Sequence, residues 1–301
     1  MTRFYLGINN CFAVKRWPMP RDWAKICAEE LGVNLVQFSF DLLDPRTIEP
    51  SLSEILSETR EAVRDEDLTI HSTFTGLAAY SFNLLTHPSL GMRLDALDWY
   101  SQAIKVTGRL DVKSTGGHVA SLSYPDYRDE RRRNYLENFL LESLQYLSHL
   151  AYFEGLSMLL WEPMPLLREP PCTIADSRRL LEKVNEGSKV PIKLTIDVGH
   201  QCTIGVKEPD NDVYSWLREL SPESPVIHLQ QTDGKADRHW PFTEKYNKIG
   251  IIKPEKVIEA IEKSGAKEVY LMLEIIHPFE AEEKTVLKDL KASVDYWKNY
   301  I

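Results

Sequence analysis

Residues 192–200 read IKLTIDVGH, a short apolar run followed by an acid, a glycine and a histidine. Ile192–Ile196 has the length and composition of a buried parallel strand. Seven other runs along the chain are similar: each is short, apolar and bounded by glycine, proline or aspartate. The eight predicted strands are Phe4–Ile8, Leu35–Phe40, Leu68–His71, Leu110–Ser114, Leu156–Trp161, Ile192–Ile196, Val226–Leu229 and Val269–Leu273.

The stretches between these strands have helical patterns. Residues 134–150, for example, place leucines and Phe139 at three- and four-residue spacing, which is typical of a helix that packs on a core. Regular alternation of strand and helix requires parallel strands joined by right-handed crossovers. Eight such units in 301 residues predict an α/β protein with one domain, a (β/α)₈ TIM barrel over residues 1–301.

An open, doubly wound sheet is the alternative arrangement of alternating strands and helices. Such a sheet would be expected to carry a glycine-rich phosphate loop after a strand. Neither G-x-G-x-x-G nor G-x-x-x-x-G-K-[ST] occurs in the chain, and this absence favours the closed barrel.

Composition and charge exclude several classes of function. The formal net charge is −9 and the densest basic run is only Arg131–Arg133, so we expect no nucleic-acid partner. No apolar run is long enough to span a membrane, and the N-terminus lacks the apolar core of a signal peptide. The four cysteines form no C-x-x-C pair. These features predict a reduced, cytoplasmic protein without membrane contact.

Four potential metal ligands stand at the ends of four successive predicted strands, the fifth to the eighth. They are Glu162, Asp197, His228 and Glu274. Adjacent barrel strands lie about 5 Å apart, so these four side chains can converge on one ion. Three carboxylates and an imidazole suit a single divalent cation: Mn²⁺, Mg²⁺, Co²⁺ or Zn²⁺. Each residue alone could instead be an ion pair, a helix cap or a core histidine.

Further polar residues occur at the same end of the predicted barrel, where TIM barrels bind their substrates. The candidates for substrate binding are His71, His118, His200, Gln230, Arg238 and His239. Some of the histidines could instead orient the metal ligands.

The set Glu162, Asp197-x-x-His200, His228 and Glu274 resembles the xylose-isomerase-like TIM barrel superfamily over essentially the whole chain. The resemblance implies that Glu162, Asp197, His228 and Glu274 bind the metal. It also implies that Glu162 and Glu274 are catalytic and move a substrate proton. The segments GINNCFAVKRWP, TFTGLAAYSFNLLTHP, TGGHVASLS, IDVGHQC, HLQQTDGKADRHWPFT and LEIIHPFE are similar to the erythrulose-phosphate 3-epimerase group of tetritol catabolism.

One position departs from the pattern of the ketose 3-epimerases. They carry a substrate-binding arginine six residues after the strand-seven histidine, where this chain has Gly234. Lys235, Arg238 or His239 could take its place. The departure concerns the choice of substrate and leaves the predicted metal site unaffected.

The resemblance implies an epimerase or isomerase of a small sugar or sugar phosphate, acting through an enediolate, and suggests a homodimer or homotetramer. A decarboxylase of a 3-oxo sugar acid could use the same site. Endonuclease IV is another alternative, because its three zinc ions use nine ligands with counterparts of the same type here: His71, His118, Glu162, Asp197, His200, His228, Asp237, His239 and Glu274. A non-catalytic barrel is a further alternative, against which the intact pair of glutamates argues.

Overall fold

Eight parallel strands close into a barrel in the computed structural model, which describes residues 1–301. Each strand pairs with the next along the chain, and β8 pairs with β1 so that Ile8 lies opposite Leu273. The predicted TIM barrel is therefore confirmed. The strands are β1 (Arg3–Asn9), β2 (Leu35–Ser39), β3 (Thr69–Phe74), β4 (Ser114–Gly117), β5 (Met158–Trp161), β6 (Ile192–Asp197), β7 (Val226–Leu229) and β8 (Glu268–Leu273).

Helices connect the strands and cover the outside of the barrel. The helices are α1 (Pro20–Lys25, continued by a π-helical turn Ile26–Leu31), α2 (Ser51–Asp65), α3 (Leu77–Tyr80), α4 (Leu90–Arg109), α5 (Tyr124–Arg128), α6 (Glu130–Phe153), α7 (Ile174–Asn185), α8 (Val213–Leu220), α9 (Glu244–Ile249), α10 (Pro254–Ser264) and α11 (Glu283–Lys298). In α11, Val286, Leu290, Val294 and Trp297 are fully buried, and their spacing puts them on one face of the helix. None of the helices combines the length and apolar character of a membrane span.

The bounds of two predicted strands were wrong. The strand β3 continues to Phe74, so His71 lies within it and does not follow it. The predicted strand at Leu110–Ser114 is mostly the turn that follows α4: Leu110 caps the helix, its N–H donates to the carbonyl of Val106, and only Ser114 belongs to a strand. Leu110 is buried as the apolar end of a helix, which resembles the start of a strand in the sequence.

The fourth strand is instead STGG, whose glycines do not indicate a strand. A Cβ atom on Gly116 would overlap the carbonyl oxygen of Leu160 on β5. Gly117 has φ +128°, and a side chain there would overlap Thr75. Glycine is therefore required at both positions because the neighbouring residues come too close for a side chain.

The inside of the barrel is filled below its C-terminal end. Phe74, Leu160, Val226 and Met272 form a small buried cluster, separate from the 65-residue core that includes the helices. The ring of Phe74 contacts the ring of His228 edge-on, with centroids 4.7 Å apart. This apolar layer supports the polar groups at the strand ends.

Candidate active site

The four predicted metal ligands meet at the C-terminal end of the barrel. Their ligand atoms all lie within 4.8 Å of one another. The Nδ1 atom of His228 is 3.1 Å from Oε1 of Glu162 and 3.0 Å from Oε2 of Glu274. It is 4.0 Å from Oδ2 of Asp197. The structure therefore brings all four residues into one cluster.

Strand register explains why the four side chains converge. Asp197 is the last residue of β6 and lies directly opposite His228 on β7. Glu162 follows β5, and its N–H donates to the carbonyl of Gly117. Glu274 follows β8, and its N–H donates to the carbonyl of Leu229. These backbone bonds continue the barrel past each strand and hold both glutamates at the rim.

The cluster has an excess of buried negative charge. Asp197 and His228 are completely buried and Glu162 is 6% exposed. Burial alone would lower the pKa of His228, but Glu274 and Glu162 raise it to about 10. Burial would raise the pKa of Glu274, but His228 lowers it to about 2. The Oδ2 atom of Asp197 has no hydrogen-bond partner, although it is buried. A divalent cation fits this set, because it would supply the missing partner and balance the carboxylates.

Two residues that the sequence analysis missed orient His228. Nε2 of His228 donates to Oε1 of Gln37 at 2.7 Å, and Nε2 of Gln37 donates to the hydroxyl of Ser72 at 3.0 Å. Asn9 donates to Oε1 of Gln37 at 2.9 Å and to Oε1 of Glu274 at 3.1 Å. The Nδ1 atom of His228 therefore faces the carboxylates, and it is the nitrogen that a metal ion would bind in place of its proton. A glutamine within the otherwise apolar run of β2 was the only sequence signal.

A second group of polar side chains, one carboxylate and two imidazoles, adjoins the cluster. Oδ2 of Asp237 lies 3.5 Å from Nε2 of His200 and 3.2 Å from Nε2 of His239. His200 is fixed by a hydrogen bond from Nδ1 to the carbonyl of Pro163, and His239 by one to the carbonyl of Glu274. Burial alone would lower the pKa of His239, but Asp237 raises it to about 10. Both histidines point their Nε2 atoms towards Asp237.

Gln230 has no hydrogen-bonding capacity left for a substrate. Its amide group donates to Oδ1 of Asp197 at 2.8 Å and to Oδ1 of Asp237 at 2.6 Å. Its carbonyl oxygen accepts from the backbone N–H groups of Arg238 and His239. We therefore assign Gln230 to positioning the loop 237–239 beside Asp197, in place of the predicted substrate contact.

The other predicted substrate-binding residues differ in position. His118 is 2% exposed and contacts the edge of the Tyr80 ring, and its Nε2 atom has no partner. Burial lowers the pKa of His118 to about 3. Arg238 is paired with Asp233 through contacts of 3.1 and 3.2 Å and does not line the site.

His71 lies outside the site. Its ring stacks near Tyr270, with centroids 4.1 Å apart, in a separate cavity of about 510 Å³ lined by the first residues of several strands. The prediction that His71 stands with the other histidines was wrong because β3 continues beyond it to Phe74. The nine-residue match to endonuclease IV therefore loses one member.

A cavity of about 90 Å³ opens above the cluster. Its lining residues are Cys11, Asp41, Thr75, Gly76, Leu77, Tyr80, His118, Glu162, Met164, His200, Asp237, His239, Glu274 and Ile276. The carboxylate of Asp41 accepts from the N–H groups of Leu77 and Ala78, at 2.8 and 3.0 Å, and so holds α3 over the cavity.

The sequence profile of the xylose isomerase-like TIM barrel family matches residues 27–299. The chain belongs to this family. A crystal structure from Rhodospirillum rubrum ATCC 11170, provisionally named a xylose isomerase, is 34% identical, covers 99% of each chain and has a TM-score of 0.92. The family also includes a curated relative, the D-erythrulose 1-phosphate 3-epimerase of Brucella abortus strain 2308. It is 26% identical over 98% of this chain and 96% of its own length.

A more distantly related solved structure shares the fold. The D-psicose 3-epimerase of Clostridium cellulolyticum H10, solved with D-tagatose, is 16% identical over 98% of this chain and 99% of its own, with a TM-score of 0.73. The xylose isomerase-like fold predicted from the strand-end residues is thus confirmed, as is the prediction that the protein is an enzyme.

Proposed function

We propose that the protein is a divalent-metal-dependent epimerase or isomerase of a small ketose or ketose phosphate, with tetrulose phosphates as the favoured substrate class. One observation carries the proposal: Glu162 and Glu274 approach the same atom of His228 from strands β5 and β8, beside a small polar cavity. Two carboxylates facing one reacting centre can remove a proton from one side and return it from the other.

A divalent ion held by Glu162, Asp197, His228 and Glu274 would supply Lewis-acid polarisation of the ketose carbonyl and so acidify the neighbouring C–H. One of the two glutamates takes that proton, and the other delivers a proton to the opposite face of the planar enediolate. The remaining lining groups bind and orient the sugar. His118 offers an unpartnered Nε2 atom, and His200 and His239 offer imidazoles fixed by backbone carbonyls.

The proposed substrate class has two supports. The cavity is small and polar, which suits a short sugar better than a polymer. The curated relative from Brucella abortus acts, by its name, on D-erythrulose 1-phosphate, and its similarity extends over nearly the whole of both chains.

The test is exchange of the substrate C–H with solvent in D₂O, followed by NMR. We expect Glu162→Gln to abolish this exchange while part of the metal affinity remains. Glu182→Gln, on the exposed face of α7, is the matched control and should exchange at the wild-type rate. Exchange retained in Glu162→Gln would remove this residue from proton transfer.

An endonuclease with three zinc ions is the second candidate, because Asp197, His200 and His239 form another group of potential ligands within 4.8 Å. Elemental analysis of protein purified without added metal distinguishes the two candidate functions by the number of metal ions per chain. One ion per chain supports the epimerase. Three zinc ions per chain, together with cleavage of abasic-site DNA, would replace it.

A further inference from the structure

The catalytic cavity has no cation to receive a substrate phosphate. A phosphate monoester carries nearly two negative charges at pH 7. The cavity is lined by four carboxylates and three imidazoles but by no lysine or arginine. A phosphorylated substrate must therefore place its phosphate beyond the edge of this cavity, next to a positive charge that the protein has not already neutralised.

A smaller pocket adjoins the cavity on the side of β1 and β8. The two share the residues Cys11, Asp41, Leu77 and Ile276 as a common wall. The other side of this pocket is formed by Arg16 and His277, together with Phe279. Arg16 follows β1 and His277 follows β8, so both belong to the catalytic end of the barrel.

The half-buried guanidinium of Arg16 lacks hydrogen-bond partners for some of its N–H groups. Its Nη2 atom donates to the carbonyl of Pro278 at 2.6 Å, but its Nε atom is buried without a partner. It forms no salt bridge. The side chain of His277 is only 7% exposed, and its Nε2 atom lies 3.3 Å from Oδ2 of Asp289. The unpartnered Nε of Arg16 can donate to a ligand at this pocket, which would offset its desolvation cost.

Lys15 adds a second free cation at the mouth of the pocket. Its Nζ atom lies 4.2 Å from the centre of the Phe279 ring and pairs with no carboxylate. Its backbone has φ +62°, a conformation that costs energy for a residue with a side chain. The chain therefore holds Lys15 and Arg16 together at this edge by a strained turn.

Two other arginines near the site have partners of their own. Arg238 is paired with Asp233 and lies over the ring of Trp240. Arg168 donates to the carbonyl of Leu122 at 2.6 Å. Asp41 also lines the smaller pocket, but both of its carboxylate oxygens accept from backbone N–H groups of α3, which offsets part of its charge.

We propose that Arg16, with Lys15, forms the subsite that binds the phosphate of a ketose phosphate, beyond the wall made by Cys11, Leu77 and Ile276. This inference rests on the proposed function. The pocket itself has a volume of about 10 Å³, room for one water molecule, so the phosphate lies at its mouth, where Lys15 is exposed.

The experiment compares a tetrulose 1-phosphate with the free tetrulose in wild type, Arg16→Gln and Arg16→Lys. Loss of a charge-assisted hydrogen bond should lower kcat/KM for the phosphorylated sugar roughly 10- to 100-fold in Arg16→Gln. The value for the free sugar should stay within about twofold, and Arg16→Lys should recover part of the loss because it restores the charge. Arg21→Gln, an exposed arginine on α1, is the control and should change neither value.

If Arg16→Gln lowers kcat/KM equally for both sugars, the proposed subsite is wrong. It is also wrong if only Arg238→Gln lowers kcat/KM for the phosphorylated sugar. Binding of inorganic phosphate, measured by calorimetry, keeps the test independent of activity: Arg16→Gln should weaken it at least about tenfold. If no ketose is epimerised but this phosphate binding depends on Arg16, the proposed function fails and the anion subsite stands. If epimerisation proceeds and neither readout depends on Arg16, the subsite fails alone.

Discussion

Nε2 of His228 lies 2.7 Å from Oε1 of Gln37, on the opposite side of the imidazole from the three carboxylates. Gln37 can only accept with this oxygen, because its amide group donates to Ser72. His228 must therefore carry a proton on Nε2, so Nδ1 is the nitrogen that a metal ion would bind, in place of the proton that it shares with the carboxylates. A residue that touches neither carboxylates nor substrate thus determines how the imidazole faces the site.

Replacing Gln37 by leucine should weaken metal binding about 10- to 100-fold, since the partner that fixes the His228 tautomer is lost. Isothermal titration of the metal-free protein with Mn²⁺ measures the change. Gln37→Glu retains an acceptor and should bind the ion close to wild-type affinity. Equal Mn²⁺ affinity in Gln37→Leu and wild type would show that His228 needs no such partner.

Addition of Mn²⁺ should raise the melting temperature of metal-free protein, because the ion binds only the folded chain. At 100 times its Kd, a ligand stabilises the folded state by about 2.7 kcal/mol. Asp197→Asn should lose most of this shift, because the unpartnered carboxylate oxygen Oδ2 is lost. Asp98→Asn, exposed on α4, should retain the full shift. If Mn²⁺ stabilises the Asp197→Asn variant as much as wild type, the metal site is contradicted.

Gln230→Leu should lower the free energy of unfolding by roughly 2–4 kcal/mol, because Oδ1 of Asp237 and the N–H groups of Arg238 and His239 lose their partner. Urea denaturation gives this value. Gln231 makes a similar set of bonds, to Asn247 and Ile252, on the side away from the metal ligands. Gln231→Leu should therefore destabilise the protein similarly but leave Mn²⁺ affinity unchanged. A loss of affinity in both variants would point to general loosening of the loop.

Glu169 should make stability depend on pH. Burial raises the pKa of Glu169 from 4.5 to about 7. The raised pKa means that the folded state favours the protonated acid. The contribution of Glu169 to the free energy of unfolding is therefore fully present below about pH 4.5 and is lost as the pH rises towards 7. The free energy of unfolding of Glu169→Gln should equal that of wild type at about pH 4 and exceed it by roughly 3 kcal/mol at about pH 8. Urea denaturation at both values measures this, and Glu142→Gln, exposed on α6, should show no such difference.

Most of the barrel could be predicted because buried parallel strands are short apolar runs with clear ends. The prediction failed at the fourth strand, where contact with β5 requires Gly116 and Gly117 and leaves no apolar side chains as a signal. It also ended β3 too early, since the polar residues Ser72 and Thr73 are buried and interrupt the apolar pattern.

The convergence of Glu162, Asp197, His228 and Glu274 could be predicted because each stands at the C-terminal end of its strand. Asn9 and Gln37 could not, since their importance comes from contacts with Glu274 and His228 on distant segments of the chain. Asp41 was missed for the same reason, because it acts on the backbone of α3. Residues that support ligands from other strands leave no pattern along the sequence.

All four proposed ligands stand at the C-terminal ends of strands β5 to β8, whereas the cavity wall at Cys11, Asp41 and Leu77 comes from the loops after β1, β2 and β3. The loops of the N-terminal half thus shape the cavity without contributing a proposed ligand. Directed evolution towards a new sugar should randomise the loops of the N-terminal half first, because changes in those loops leave all four proposed metal ligands in place. Half-barrel chimeras between relatives should inherit their substrate preference from that half as well.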